Sequence, residues 1–313
     1  MTIVHLLFSY NLHLSWRWWV HCKGWPVVLD VTGSFRQGGA SRWSTQAMLP
    51  FLARFLGAFL LLLPYVSTLN AQGGPPLLTN DPVTPDRENW EINLGPMPVL
   101  RNTTKSVQLI QIDVNYGLTD RVELICEIPF VWQKDAGQPS TTGWGNALPG
   151  VKLRLIDGGE NGWNLSTFPQ VQIGGSAASV KKGVADEGTR FLLPLEVNKQ
   201  FGPLNADFEA GYFFPLDSSA SSEERILGFA LGHKFTPKFE TLGEIYDDKT
   251  MGSSDHAITF DLGGRWEFHK GLLLLFMAGR SFKGNSSGQP EFLGYGGIRI
   301  LLDHYGTRLH SEK

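Results

Sequence analysis

Two residue pairs, Asp247-Asp248 and Asp255-His256, flank one polar segment and pose the first chemical question. A carboxylate beside an imidazole, or beside a second carboxylate, is what general acid-base hydrolysis requires. Hydrolysis also needs the two pairs to converge across an opening, whereas neighbouring extended runs would carry them side by side. Acidic residues at turns commonly do no more than hydrogen-bond local backbone. Neither an H-E-x-x-H helix nor a phosphate-binding glycine loop accompanies them, and no catalytic residue, metal site or cofactor is assigned from them.

A larger set of candidates consists of charges that recur singly inside otherwise apolar, alternating runs: Asp113, Arg121, Glu123, Glu127, Lys152, Arg154, Arg190, Glu196, Asp207, Glu209, Glu240, Glu244, Asp261, Arg265, Glu267 and Arg299. Period 2 places each on the face opposite its apolar neighbours. If that face is enclosed, the charges must pair or stay hydrated. Their chemistry is then ion pairing in a structural interior or, where the interior is open, a polar path whose width and charge select solutes.

The elements that must carry these charges are strands. In Arg121 to Trp132, Val122, Leu124, Cys126, Ile128 and Phe130 share one face while Glu123 and Glu127 share the other. Runs of this kind recur near 89–98, 106–117, 121–132, 149–156, 163–173, 189–201, 204–215, 225–235, 238–247, 256–268, 272–282 and 291–302. Between them short turns (Gly117 to Asp120, Gly202-Pro203, Thr236-Pro237, His269 to Gly271) alternate with long polar segments (Gln133 to Leu148, Gly174 to Gly188, Leu216 to Glu224). A soluble sandwich alternates along its strands too, but has no reason to alternate its connections. An antiparallel up-and-down transmembrane β-barrel of about 12 strands does both. Trp90, Trp132, Trp163, Phe201, Phe214, Phe235, Trp266 and Phe268 lie near strand ends, where interfacial girdles form. One run breaks the pattern: Gly271 to Met277 is continuously apolar, which fits a strand with an apolar patch on its lumen side.

Ahead of the strands, Arg54 and the apolar run Phe55 to Leu63, followed by Pro64 and Ala71, read as a signal peptide over 48–71, with an apolar stretch too short to cross a bilayer as a helix. Residues 1–47 show no sustained period and are expected to be an upstream extension from a misplaced start. The barrel is expected over 89–302, with 72–88 as a periplasmic or lumen segment and 303–313 as a tail. A formal charge of -3 gives no electrostatic support for nucleic acid, and with Cys22 in the excluded region Cys126 leaves neither a disulfide framework nor a zinc site.

Several segments together resemble the outer-membrane proteins of the "MetA pathway of phenol degradation" family. They are Thr79 to Pro85 with Trp90 to Asn93, Asp113 to Leu124 with Ile128 to Phe130, Gly143 to Asn146 before Gly150 to Lys152, and Phe168-Pro169. The family's usual Gly-Asp stands here as Gly145-Asn146. The resemblance implies an outer-membrane barrel for uptake of small solutes, hydrophobic or aromatic compounds among them, and carries over no catalytic residue. A purely structural or adhesive surface barrel and a rim-active hydrolase are the alternatives. The expected partners are outer-membrane lipid and a small solute. N-terminal sequencing of membrane-extracted protein should find a start close to Gln72, and recovery of residues 1–47 in the mature chain would overturn both the start-site and signal-peptide readings.

Overall fold

The chain forms two compact units, Met1–Leu62 and Leu63–Lys313. The computed structural model describes residues 74–159, 162–253, 256–283 and 290–303, together with the backbone of two strands in the first unit. Those two, β1 (Trp16–Cys22) and β2 (Trp25–Val31), pair antiparallel with Trp16 opposite Val31 and Cys22 opposite Trp25. Sequence reading found no strand pattern there. Both runs are nonetheless rich in Trp and Val, and only two residues separate them, the spacing of a hairpin. The signal-peptide run and its cleavage edge lie outside the described residues.

The second unit opens its sheet with β3 (Trp90–Leu100), β4 (Thr104–Thr119) and β5 (Val122–Asp135). β6 (Thr141–Trp144) and β7 (Leu148–Ile156) both pair with β5 and are halves of one strand. β8 (Trp163–Thr167) and β9 (Gln170–Gln172) are likewise halves, parted at Phe168-Pro169, where proline offers no N–H to the ladder. After a short helix, α1 (Ala177–Lys181), come β10 (Arg190–Phe201), β11 (Leu204–Pro215), β12 (Glu224–Thr236) and β13 (Phe239–Thr250). The sheet ends with β14 (His256–His269), β15 (Leu272–Lys283) and β16 (Phe292–Leu302).

Each strand pairs antiparallel with its sequence neighbours, and β16 returns to β3 with Leu302 opposite Trp90 and Phe292 opposite Leu100. Counting the two interrupted strands once each, the sheet is a closed twelve-stranded up-and-down barrel. Among the described residues no helix is long and apolar enough to cross a membrane; the crossing is made by strands.

Gln133 to Leu148 differs from expectation. β5 runs on to Asp135, and Thr141–Trp144 pairs back onto it, Trp144 opposite Phe130. A hairpin that stands clear of lipid meets water on both faces, so its strands carry no apolar alternation to read. The next long connection folds over this hairpin. α1 is capped by the Ser176 hydroxyl, which accepts from the Ser179 N–H at 3.2 Å, and the Asn146 amide donates to the carbonyls of Ile173 and Asp186 at 2.9 Å each. Asn146 also accepts from the Asp186 N–H at 2.8 Å. An aspartate in its place could not donate to either carbonyl.

The wall alternates throughout. Glu123 is 4% exposed and its neighbour Leu124 is 40% exposed; along β10, Arg190, Leu192, Glu196 and Asn198 are buried while Leu193, Leu195 and Phe201 are exposed. Trp90, Trp163, Phe201, Phe235, Trp266 and Phe268 are exposed beside the short turns, and Phe214 beside a long connection, so both rims carry aromatic side chains. Leu124 sits opposite Tyr116, whose ring stacks on Trp90 at 4.5 Å, which places it in the aromatic rim. Ile245 sits midway along β13 between Phe229 and Phe260. Ile245→Arg is therefore expected to cost about 2 to 4 kcal/mol of folding stability in lipid vesicles, and Leu124→Arg only about 0 to 1 kcal/mol. Glu123→Gln should cost less than Ile245→Arg, because it leaves the outer face untouched. Equal losses for the two arginine variants would mean that the depth of β5 is misassigned.

Candidate functional site

The lumen is occupied. Residues 74–89 run inside the barrel before turning into β3, with Leu77, Thr79, Asp81 and Thr84 buried. Four prolines, Pro75, Pro76, Pro82 and Pro85, deprive this strap of N–H groups and keep it from joining a sheet edge. Several of the backbone groups that remain are met by side chains of the wall. The Glu244 carboxylate accepts from the N–H of Leu78 at 2.7 Å and of Thr79 at 2.8 Å, and Glu209 accepts from the N–H of Asn80 at 2.8 Å. Lys152 donates to the Asp81 carbonyl at 2.6 Å, and Arg154 donates to the Thr84 carbonyl and hydroxyl at 3.0 and 2.7 Å. Arg299 reaches the Pro75 carbonyl at 3.1 Å and Arg265 the Gly74 carbonyl at 3.5 Å. The strap lies so close to β12 that a Cβ at Gly228 would fall 2.3 Å from the Thr79 hydroxyl oxygen.

Around it the enclosed charges pair with one another. Arg299 binds Glu91 at 2.9 Å and Asn93 at 2.8 Å, and Lys152 lies 3.4 Å from Glu196, which also accepts from the Ser166 hydroxyl at 2.5 Å. Arg265 faces Glu240 at 3.6 Å. Asp113 accepts from Asn93 at 2.8 Å and Asn115 at 2.9 Å, and Asp207 accepts from Asn198 and Asn205 at 2.6 Å each. Arg190 joins Glu224 at 2.8 Å and Gln172 at 2.7 Å over the Phe213 ring. Glu127 accepts from Gln111 at 3.1 Å, and Glu123 stands opposite Lys152 across the β5/β7 pair. Asp261 is fully buried opposite Glu244. Buried carboxylates outnumber buried cations among the described residues, and the strap's amide N–H groups supply part of the missing positive end.

Arg121 is a correction. It lies in the exposed turn before β5, where its carbonyl accepts from the Arg154 N–H at 2.9 Å, and it does not line the interior. One alternation step across a turn residue was enough to misplace it. In the exposed turn that follows β7, the Gly159 N–H and the Arg154 guanidinium hold the Asp157 carboxyl below its ordinary range.

The acid pairs separate. Asp247 binds Arg225 at 2.5 Å and His256 at 2.7 Å, while its neighbour Asp248 takes the opposite face of β13 by strand geometry. Asp255 lies outside the described residues. The inward amides Asn93, Asn198 and Asn205, and the strap's hydrogen-bond partners in the wall, escaped sequence reading. The amides were within reach, since they occupy the same parity as the charges.

Two open spaces adjoin the strap. A water-sized pocket of about 30 Å³ lies between it and Glu91, Asp113, Glu123 and Lys152. A vestibule of about 460 Å³ opens at the short-turn end, lined by Thr84, Asp86, Arg154, Asn164, Asn198 and Asn205 among others. On another side of the strap the wall is apolar: Leu77 packs with Ala230, Leu242, Leu275, Met277, Leu293 and Tyr295. The continuous run after Gly271 thus places Leu275 and Met277 in the lumen.

Arg299→Met removes a fully buried cation from Glu91 and should destabilise the barrel by about 3 to 5 kcal/mol. Asp157→Asn weakens only the partly hydrated pair with Arg154 and should cost about 1 kcal/mol or less. Urea unfolding of both variants in vesicles checks the difference; equal losses would contradict this account of the lumen.

Residues 97–300 match the family described as "MetA-pathway of phenol degradation". Among solved structures, an outer membrane channel from Pseudomonas putida F1 superposes with a TM-score of 0.55 at 14% identity, over 74% of this chain and 100% of that one. The KdgM porin aligns at a TM-score of 0.47 with 9% identity, over 67% of this chain and 98% of that one. The CymD monoaromatic hydrocarbon channel aligns at 0.37 with 9% identity, over 69% and 88%. No curated protein sequence matches the chain. The superposition at 0.55 speaks to the fold, a barrel of the outer membrane. With a family match that runs from Met97 in β3 to Ile300 in β16, the chain belongs to the "MetA-pathway of phenol degradation" family.

Proposed function

We propose that the protein is a gated passive channel for small solutes, hydrophobic or aromatic ones included, in which residues 74–89 are the gate. The observation that carries this reading is the way the strap is held. Its ordered backbone contacts inside the lumen are hydrogen bonds to side chains such as Glu244, Glu209 and Lys152, and they can be exchanged for water without disturbing the strand ladders. The enclosed charges from Glu123 and Lys152 to Arg265 and Arg299 would then line the polar part of the path. The family and the likeness to a Pseudomonas putida outer membrane channel support transport over catalysis, as does the separation of Asp247 from Asp248 onto opposite faces.

An occupied lumen also suits a barrel that serves as a closed structural surface protein. Two substitutions separate the readings by different routes. Glu244→Gln keeps one acceptor oxygen and puts an NH₂ where the other of the two backbone N–H groups seeks one, and Gly228→Val fills the space that Thr79 uses. Loss of one charge-assisted hydrogen bond and the charge of the other should shift the closed-to-open ratio about tenfold or more. In planar bilayers the wild type should show small or infrequent conductance, and both variants should raise its mean several-fold. If neither folded variant conducts above the wild type, the gate reading is lost, and silence from all three leaves the structural barrel as the better account.

A further inference from the structure

We propose that the lumen wall beneath Leu77 is a binding site for a small apolar molecule carrying one hydrogen-bonding group, and that Leu77 occupies the site until such a molecule displaces it. The inference rests on the channel reading and adds to it the ligand class and the means of opening.

Elsewhere the inward face carries mainly charges and amides, with scattered apolar residues such as Ile125, Leu192 and Ile226, whereas here Ala230, Leu242, Leu275, Met277 and Leu293 converge in one cluster, with Met97 and Val99 packed at the edge. A seat for one leucine does not require this extent of apolar wall. Nor does it require a phenol. Tyr295 is 6% exposed, and its hydroxyl has no hydrogen-bond partner among the described residues. A buried hydroxyl without a partner is unfavourable, and phenylalanine would pack the same cluster without that penalty. An apolar patch with one unspent hydroxyl matches a one-ring or short-chain molecule bearing a hydroxyl or carbonyl. Met277 supplies a side chain that reshapes readily around such a guest.

Displacement is coupled to the gate by adjacency. Leu77 precedes the two residues, Leu78 and Thr79, whose N–H groups Glu244 holds. A molecule that takes the patch removes the apolar contact that seats this part of the strap, leaving the hydrogen bonds to Glu244 and Glu209 to hold it alone. Binding and opening therefore favour each other.

The test uses the folded full barrel in detergent, with 4-methylphenol and toluene as probes and titration calorimetry against protein-free detergent. Wild type should bind 4-methylphenol saturably. Leu77→Ala should tighten that binding several-fold, because the competitor is gone. Tyr295→Phe should weaken 4-methylphenol roughly tenfold and leave toluene unchanged, the loss of one hydrogen bond. No saturable binding, unchanged or weaker binding in Leu77→Ala, or equal losses of both probes in Tyr295→Phe would each overturn the proposal. Fold is checked for every variant by heat-modifiable gel mobility. Conductance without saturable binding would remove the site and leave the channel, whereas saturable binding without conductance would leave the site and remove the channel.

Discussion

At the depth of the hydrocarbon a peptide group cannot turn to water, and each one left unpaired costs several kcal/mol. Closing the sheet through β16 and β3 meets that demand for the wall, with Trp90 and Leu302 paired at one end and Leu100 and Phe292 at the other. The twelve strands, the period-2 sequence and the alternation of short and long connections are consequences of it. A strand that must present one face to lipid and one inward has to carry apolar residues at every second position, whatever stands between them.

Closure creates a second demand that the ladders cannot meet. The inward face of a small barrel is shut off from lipid and only partly hydrated, so whatever it carries must be satisfied there. Arg299, Lys152 and Arg265 do this with Glu91, Glu196 and Glu240. Two further carboxylates find partners in a segment that is not part of the wall. Glu244 and Glu209 take three successive amides of the strap. Because such contacts lie in side chains, the wall stays intact when they break, and that is what makes the strap suited to move.

Most of the wall was legible in the sequence, because lipid on one side imposes a period that residues such as Val122 to Phe130 display openly. The ends were less so. Where β5 and β6 rise beyond the lipid, water meets both faces and the period vanishes, so Gln133 to Asp135 and Thr141 to Trp144 read as loop. Arg121 was misplaced for a related reason, since the parity rule holds in a strand and stops at its turn. The strap was legible as a segment ahead of the barrel, periplasmic or in the lumen, and as a resemblance in Thr79 to Pro85, but its partners were not. A segment whose amides are satisfied by scattered partners such as Glu244, which is 165 residues from Thr79, leaves no periodic trace.

The run Gly271 to Met277 was an anomaly in a pattern otherwise well kept, and such anomalies tend to mark places where packing or function overrides the local rule. Lipid accounts for the outward members of β15 and accounts for nothing about Leu275 and Met277, which face a lumen lined elsewhere mainly by acids and amides. Their packing with Leu77 explains the choice in the closed barrel. It does not explain why Tyr295, with an unspent hydroxyl, completes the same cluster where phenylalanine would serve. A strap that had only to stay in place would be held best by the polar contacts it already has. A wall that adds an apolar surface with one polar point beside them is shaped for something that the strap itself only imitates.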